Sequence, residues 1–248
     1  MKLIQYVSFI ILLSLSVQAE YRILAFGDSN TWGWKPDGSG TRFSDDERWA
    51  GVLQERLGEE YAVIVDGLVA CRTNIDGLDA GPIDGSFLNG AKTLPAALAR
   101  NAPLDLLIIF LGTNDVQLGA ERAANEVASA VGELVDLAKG AESLLHSSYS
   151  APREVWVVVP PPLGDLAGTP LEALFSPGYE ASQQFEAAFQ NLSNERGIRI
   201  FSFEALEGLA TGADGIHLTL EAHKFLGNHI ADTLDADRSG MALPVEKK

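Results

Sequence analysis

Five short apolar runs punctuate the chain: Ile23–Phe26, Tyr61–Val65, Leu104–Leu111, Val155–Val159 and Ile198–Phe203. Each has the length of a strand buried on both faces, and the first four break into Gly, Asp or Pro at their carboxyl ends. Between them, apolar residues recur every three or four positions, the period of a helix with one buried face. Trp49, Val52, Leu53 and Leu57 form one such stripe, with Ser44-Asp45-Asp46-Glu47 as the predicted N-cap and Gly58 as the stop. Thr93–Arg100 predicts a short helix with Pro95 in its first turn. Ala120–Lys139 carries a stripe of Val127, Val131, Leu134, Val135 and Ala138. Ser176-Pro177 reads as the start of a helix holding Phe185, Phe189 and Leu192 and ending at Gly197. Thr219 is the predicted cap of a last helix with Phe225, Leu226 and Ile230 inside. Thr31–Phe43, Leu68–Gly90 and Leu163–Phe175 read as loops, and Ser143–Pro152 as a linker.

Strands alternating with helices predict an α/β protein: a three-layer α/β/α flavodoxin-like fold with a five-stranded parallel sheet in the order 2-1-3-4-5. In that order the first and third strands are neighbours. Their carboxyl ends then bring Ser29 and Asn114 side by side, in the crevice where such sheets place reactive groups.

The first nineteen residues fall outside this pattern. Lys2, the apolar stretch Leu3–Val17 and Val17-Gln18-Ala19 read as a secretory signal peptide cut before Glu20. The expected organisation is a signal peptide at 1–19, one domain at 20–236 and a loose tail at 237–248. The expected location is secreted or periplasmic, with no stable membrane association after cleavage. The formal net charge of -16, from 18 Lys+Arg against 34 Asp+Glu, makes nucleic acid and anionic lipid poor partners. Cys71 is the single cysteine, so no internal disulfide can form, and it reads as a small buried filler. His146, His223 and His229 show no ligand spacing; no metal and no cofactor are expected.

Ser29 sits in Gly27-Asp28-Ser29-Asn30, where a strand meets solvent. A nucleophile and a simple helix cap are equally good readings of those four residues alone. His217 and Asp214, three residues apart before the last helix, supply a candidate base and its orienter. Asn114, in Gly112-Thr113-Asn114-Asp115, offers an amide donor, and backbone N–H groups near Ser29 and Ala70 complete a candidate oxyanion hole. Trp34, Thr113 and Ile216 are candidate substrate-binding residues, with Trp32 and Trp34 expected over the mouth of the site. Each feature has an ordinary structural explanation alone; three strand-end loops carrying compatible chemistry favour the catalytic reading.

In these motifs the sequence resembles the SGNH (GDSL-type) hydrolases. Gly27-Asp28-Ser29-Asn30 resembles their first block, Gly67 with Ala70 the second, Gly112-Thr113-Asn114-Asp115 the third, and Asp214-Gly215-Ile216-His217 the fifth. Phe26–Trp34, Arg72–Asp76, Leu88–Ala91, Pro103–Asp115 and Val159–Leu163 are similar to the arylesterase/acyltransferase branch that includes bacterial perhydrolases. The resemblance implies a triad of Ser29, Asp214 and His217. It also implies an oxyanion hole of the Ser29 and Ala70 N–H groups with Asn114. The chain departs from the branch at Cys71, where relatives carry Arg, and at Asn30, where an apolar residue often follows the serine. The expected activity is hydrolysis of short-chain acyl or aryl esters, with acyl transfer to an alcohol as a variant, and the expected partner is a small-molecule ester. Homo-oligomerisation stays open. Alternatives are a carbohydrate O-deacetylase, a thioesterase or lysophospholipase, and a non-catalytic flavodoxin-like binding module.

Overall fold

The computed structural model describes residues 20–79, 81–141 and 150–240. The expected signal peptide at 1–19, most of the linker and most of the tail lie outside that range. Five parallel strands form one sheet in the order β2-β1-β3-β4-β5, the predicted order. They are β1 (Tyr21–Gly27), β2 (Tyr61–Gly67), β3 (Leu106–Phe110), β4 (Glu154–Val158) and β5 (Ile200–Phe201). The long helices are α1 (Trp49–Leu57), α2 (Gly90–Asn101), α3 (Ala124–Lys139), α4 (Phe185–Arg196) and α5 (Leu220–Ser239).

Side chains alternate across the central strands, and both faces are dry. Leu24, Phe26, Leu107 and Ile109 pack with Leu94 of α2, Val131 and Leu134 of α3 and Phe189 of α4. Ile23, Ala25, Ile108 and Phe110 point the other way, onto Trp49 and Leu53 of α1 and Leu226 and Ile230 of α5. Continuous apolar runs in β1 and β3 therefore reflect two helical layers, as expected for a parallel sheet. The register places Gly27 of β1 beside Gly67 of β2 and Phe110 of β3. At Gly27 a Cβ would collide with the Thr31 side chain and the Phe110 carbonyl. Only glycine lets the chain leave β1 tightly enough for Ser29 to sit directly above the sheet.

Several predicted boundaries shift. Ser44–Glu47 does not cap α1; the helix starts at Trp49, and Arg48 occupies the cap position without a side-chain cap bond. The Trp49 N–H donates instead to His223 Nδ1 of α5 at 3.2 Å, a partner 174 residues away. Helix α2 begins three residues before Thr93, because the Asn89 side chain accepts from the Ala91 and Lys92 N–H groups. Pro95 consequently lies inside it. Helix α3 begins at Ala124 rather than Ala120, since Glu126 reaches back to the Ala123 N–H. The helix expected from Ser176 is broken into a 3-10 turn at Ser176–Gly178, one turn at Tyr179–Ser182 and then α4. The Ser182 hydroxyl donates to the Tyr179 carbonyl and accepts from the Leu163 N–H. The expected loop Leu163–Phe175 ends in a helical turn, Glu172–Phe175. The start of the supposed loose tail is ordered too. Helix α5 runs on to Ser239, an Arg199–Asp237 ion pair of 2.6 Å holds its end, and Gly240 stops it with φ 67°.

Candidate active site

Three carboxyl-end loops converge above β1 and β3. The first is the single helical turn Ser29–Trp32, entered straight from β1. Asp28 caps this turn, its carboxylate accepting from the Asn30 N–H at 2.9 Å, which orients Ser29 toward the cleft. The second is the hairpin before α5. There Gly212 N–H donates to the His217 carbonyl and Thr219 N–H to the Ala210 carbonyl, both at 2.9 Å. The third follows β3 and carries Asn114.

Between the first two loops the polar groups align in series. Ser29 Oγ lies 2.9 Å from His217 Nε2, and His217 Nδ1 lies 2.6 Å from Asp214 Oδ2. The other Asp214 oxygen accepts from the Ile216 and His217 N–H groups, each at 2.9 Å. Burial alone would favour the neutral acid. The His217 imidazole and those two N–H groups outweigh it and hold the Asp214 carboxyl below the usual carboxylate range. Asp214 thus stays ionised at neutral pH, suited to accept a proton-bearing Nδ1 and leave Nε2 facing the serine. Trp34 stacks on the imidazole, with ring centroids 5.5 Å apart and planes 24° apart.

The candidate donors divide into two kinds. Among the described residues, neither the Ser29 nor the Ala70 amide N–H donates to a protein acceptor. Ala70 lines the cleft in the left-handed region, φ 64°, a conformation that costs a Cβ-bearing residue roughly 1–2 kcal/mol. Asn114 also lines the cleft, but its Nδ2 donates to the Cys71 carbonyl at 3.1 Å and to Asp28 Oδ2 at 3.3 Å. Gln117 donates to Asn114 Oδ1 at 2.6 Å and accepts from the buried Arg72 guanidinium at 3.2 Å. An Arg72–Gln117–Asn114 chain therefore fixes the Asn114 amide. Burial pushes the Asp28 carboxyl up to about 7 and drives the Cys71 thiol far above its ordinary range. Cys71 thus remains a protonated, buried side chain.

Ser29, Trp34, Val69, Ala70, Asn114, Gln117, Leu171, Leu174, Phe175 and His217 enclose a cleft of about 140 Å³. Of the three candidate substrate-binding residues, Trp34 lines it, whereas Thr113 and Ile216 do not. Ile216 is buried in the core beneath. Trp32 does not line the cleft itself; its ring packs against Trp34, with centroids 5.8 Å apart, and under the Arg42 guanidinium, 5.0 Å from the ring centre. The apolar wall from Leu171, Leu174 and Phe175 has no counterpart among the candidates. Its signal was the i, i+3, i+4 apolar spacing in a stretch that reads as loop. Among the described residues no group of three or more His, Cys, Asp or Glu is assembled to hold a metal ion. His223, whose Nε2 has no partner among the described residues, packs edge-on to Phe43.

The GDSL-like lipase/acylhydrolase family model matches residues 25–225. A carbohydrate acetylesterase from Sinorhizobium meliloti, Est24, is 35% identical, with 88% of this chain and 99% of that one covered and a TM-score of 0.76. An aryl esterase of M. smegmatis is 34% identical over 87% of this chain and 99% of its own, also with a TM-score of 0.76. A second S. meliloti structure, described as a carbohydrate acetylesterase family member, is 30% identical over 89% and 100%, with a TM-score of 0.77. No curated protein matches the chain.

Proposed function

The chain belongs to the GDSL-like lipase/acylhydrolase family, and from that footing we propose that it is a serine esterase acting on short-chain acyl esters through an acyl-enzyme. The observation that carries the proposal is the unbroken series Ser29–His217–Asp214, at 2.9 and 2.6 Å, opening into one cleft. Ser29 Oγ attacks the ester carbonyl while His217 Nε2 takes its proton, and Asp214 stabilises the imidazolium. The oxyanion meets the unengaged Ser29 and Ala70 N–H groups. Asn114 joins them by releasing the longer of its two contacts, the one to Asp28. Collapse expels the alcohol, which receives the proton from His217. Water then repeats the sequence on the acyl-enzyme, and an alcohol in its place gives acyl transfer.

The cleft supports a short-chain substrate. Its volume of about 140 Å³ is below the range of about 300–1,000 Å³ typical of pockets for drug-sized ligands, which suits an acetyl group and the first atoms of the alcohol. Apolar side chains form most of its wall, which suits a short aliphatic or aryl ester better than a charged one. Acetylated carbohydrate is the second reading, favoured by the similarity to two S. meliloti structures described as a carbohydrate acetylesterase and a carbohydrate acetylesterase family member. Export remains our reading of residues 1–19, and a small-molecule ester our reading of the partner.

The test pairs the protein with Ser29→Ala on p-nitrophenyl acetate, butyrate and octanoate, with intact-mass analysis after an organophosphonate. Turnover falling with chain length, and one adduct on Ser29 that the variant lacks, is the expected result. Equal rates for the two proteins and no adduct would return the flavodoxin-like binding module to the front.

A further inference from the structure

Asn30 directly follows the attacking serine, is completely buried, and has no part in the chemistry above. A primary amide without water around it must find partners or destabilise the fold. Its Oδ1 accepts from the Leu218 N–H at 2.9 Å, across 188 positions of sequence. Its Nδ2 has no protein partner among the described residues, so this one bond is what the buried amide contributes.

Leu218 is the residue immediately after His217. The hairpin carrying it is closed by the Gly212–His217 and Thr219–Ala210 hydrogen bonds. Those use the groups that face across the hairpin. The Leu218 N–H faces the opposite way, toward the serine turn, and Leu218 is itself buried. Among the described residues, two hydrogen bonds join the serine turn to the hairpin: Ser29–His217 and Asn30–Leu218. The first is made and broken in every catalytic cycle. The second lies one residue away along each strand of chain and need not change during the reaction.

We propose that Asn30 is a positioning residue: its side-chain carbonyl anchors the His217 hairpin to the serine turn and fixes the approach of His217 Nε2 to Ser29 Oγ. This rests on the esterase reading. Without the anchor the hairpin can drift while still holding its own two bonds, and Asp214 drifts with it. The bond that suffers is then Ser29–His217 alone. Misplacements of about 1 Å in such pairs lower rates on the order of a hundredfold.

Asn30→Leu keeps the bulk and removes the acceptor; Asn30→Asp keeps an acceptor oxygen in place. Both would be compared with the unmodified protein by kcat and KM on p-nitrophenyl acetate and by the rate of phosphonate labelling at Ser29. For Asn30→Leu we expect kcat and labelling to fall roughly 10- to 100-fold with KM within about twofold, since the cleft wall is untouched. For Asn30→Asp we expect kcat within about fivefold. A folded Asn30→Leu with kcat within twofold of the parent overturns the proposal. If Asn30→Leu does not fold, Asn30→Asp decides: activity near the parent supports the anchor, and a loss of tenfold or more overturns it. Failure of the parent itself to label or turn over would sink the esterase reading and this inference together.

Discussion

His223 should contribute a loss of stability in acid that a substitution can isolate. It is wholly buried between α1 and α5, its Nδ1 accepts from the Trp49 N–H, and it packs against Phe43. Burial pushes its pKa from 6.5 down to about 3, with the charge of nearby His217 adding to the shift. The folded protein therefore holds His223 neutral where the unfolded chain protonates it. Its contribution to stability is complete above pH 6.5 and is lost as pH falls toward 3, at about 1.4 kcal/mol per pH unit. At pH 5 that is about 2 kcal/mol. Asp28 works in the opposite direction: its pKa is raised from 3.8 to about 7, so its contribution shrinks as pH climbs through that interval. Replacing His223 with Gln leaves Asp28 in place, keeps an acceptor for Trp49, and isolates the histidine. Urea unfolding at pH 8 and pH 5 would read the effect. The unmodified protein should lose roughly 1 M more of its midpoint than His223→Gln between the two pH values. Midpoints that fall in parallel would refute the assignment of a buried neutral histidine.

Two further outcomes follow from the cleft. Ala70→Val puts a β-branched residue at φ 64° and should cost at least about 1–2 kcal/mol in urea unfolding, while Ala70→Gly should stay within about 0.5 kcal/mol of the parent. Leu174→Ala removes part of the apolar wall, and the butyrate-to-acetate ratio of kcat/KM should rise roughly tenfold, the scale of a methylene or two in an apolar pocket; an unchanged ratio would place the acyl chain elsewhere.

The strand ends were legible because buried apolar runs stop there at Gly, Asp or Pro, and the Asp214–His217 pair because an Asp three residues before a His needs only one turn to reach it. The sheet order follows from the α/β alternation of the whole chain, and the pairing of Ser29 with His217, 188 positions apart, was an implication of the resemblance to the SGNH hydrolases. Helix starts were harder wherever a remote group decides them. The Ser44–Glu47 cluster looks like a cap, yet Trp49 is capped by His223 from the far end of the chain. Asn89 reads as loop in the polar stretch Leu68–Gly90, although its side chain starts α2. Leu171, Leu174 and Phe175 show i, i+3, i+4 spacing over a single helical turn, too short a repeat to tell a helix from a loop. The Arg72–Gln117–Asn114 chain joins residues up to 45 positions apart, and no spacing rule reveals such a contact.

The cleft wall has a different provenance from the groups that do the chemistry. Ser29, His217 and Asp214 stand on turns rooted in the core strands and hairpin, with glycine and buried hydrogen bonds dictating where they sit. Leu171 and Leu174 belong to a half-exposed turn that contributes no hydrogen bond to the triad. Reactivity and selectivity are thereby inscribed on separate stretches of chain. Substitutions in the wall can retune which ester fits while the proton relay stays intact, so a lineage built on this scaffold is free to wander among substrates without reinventing its chemistry.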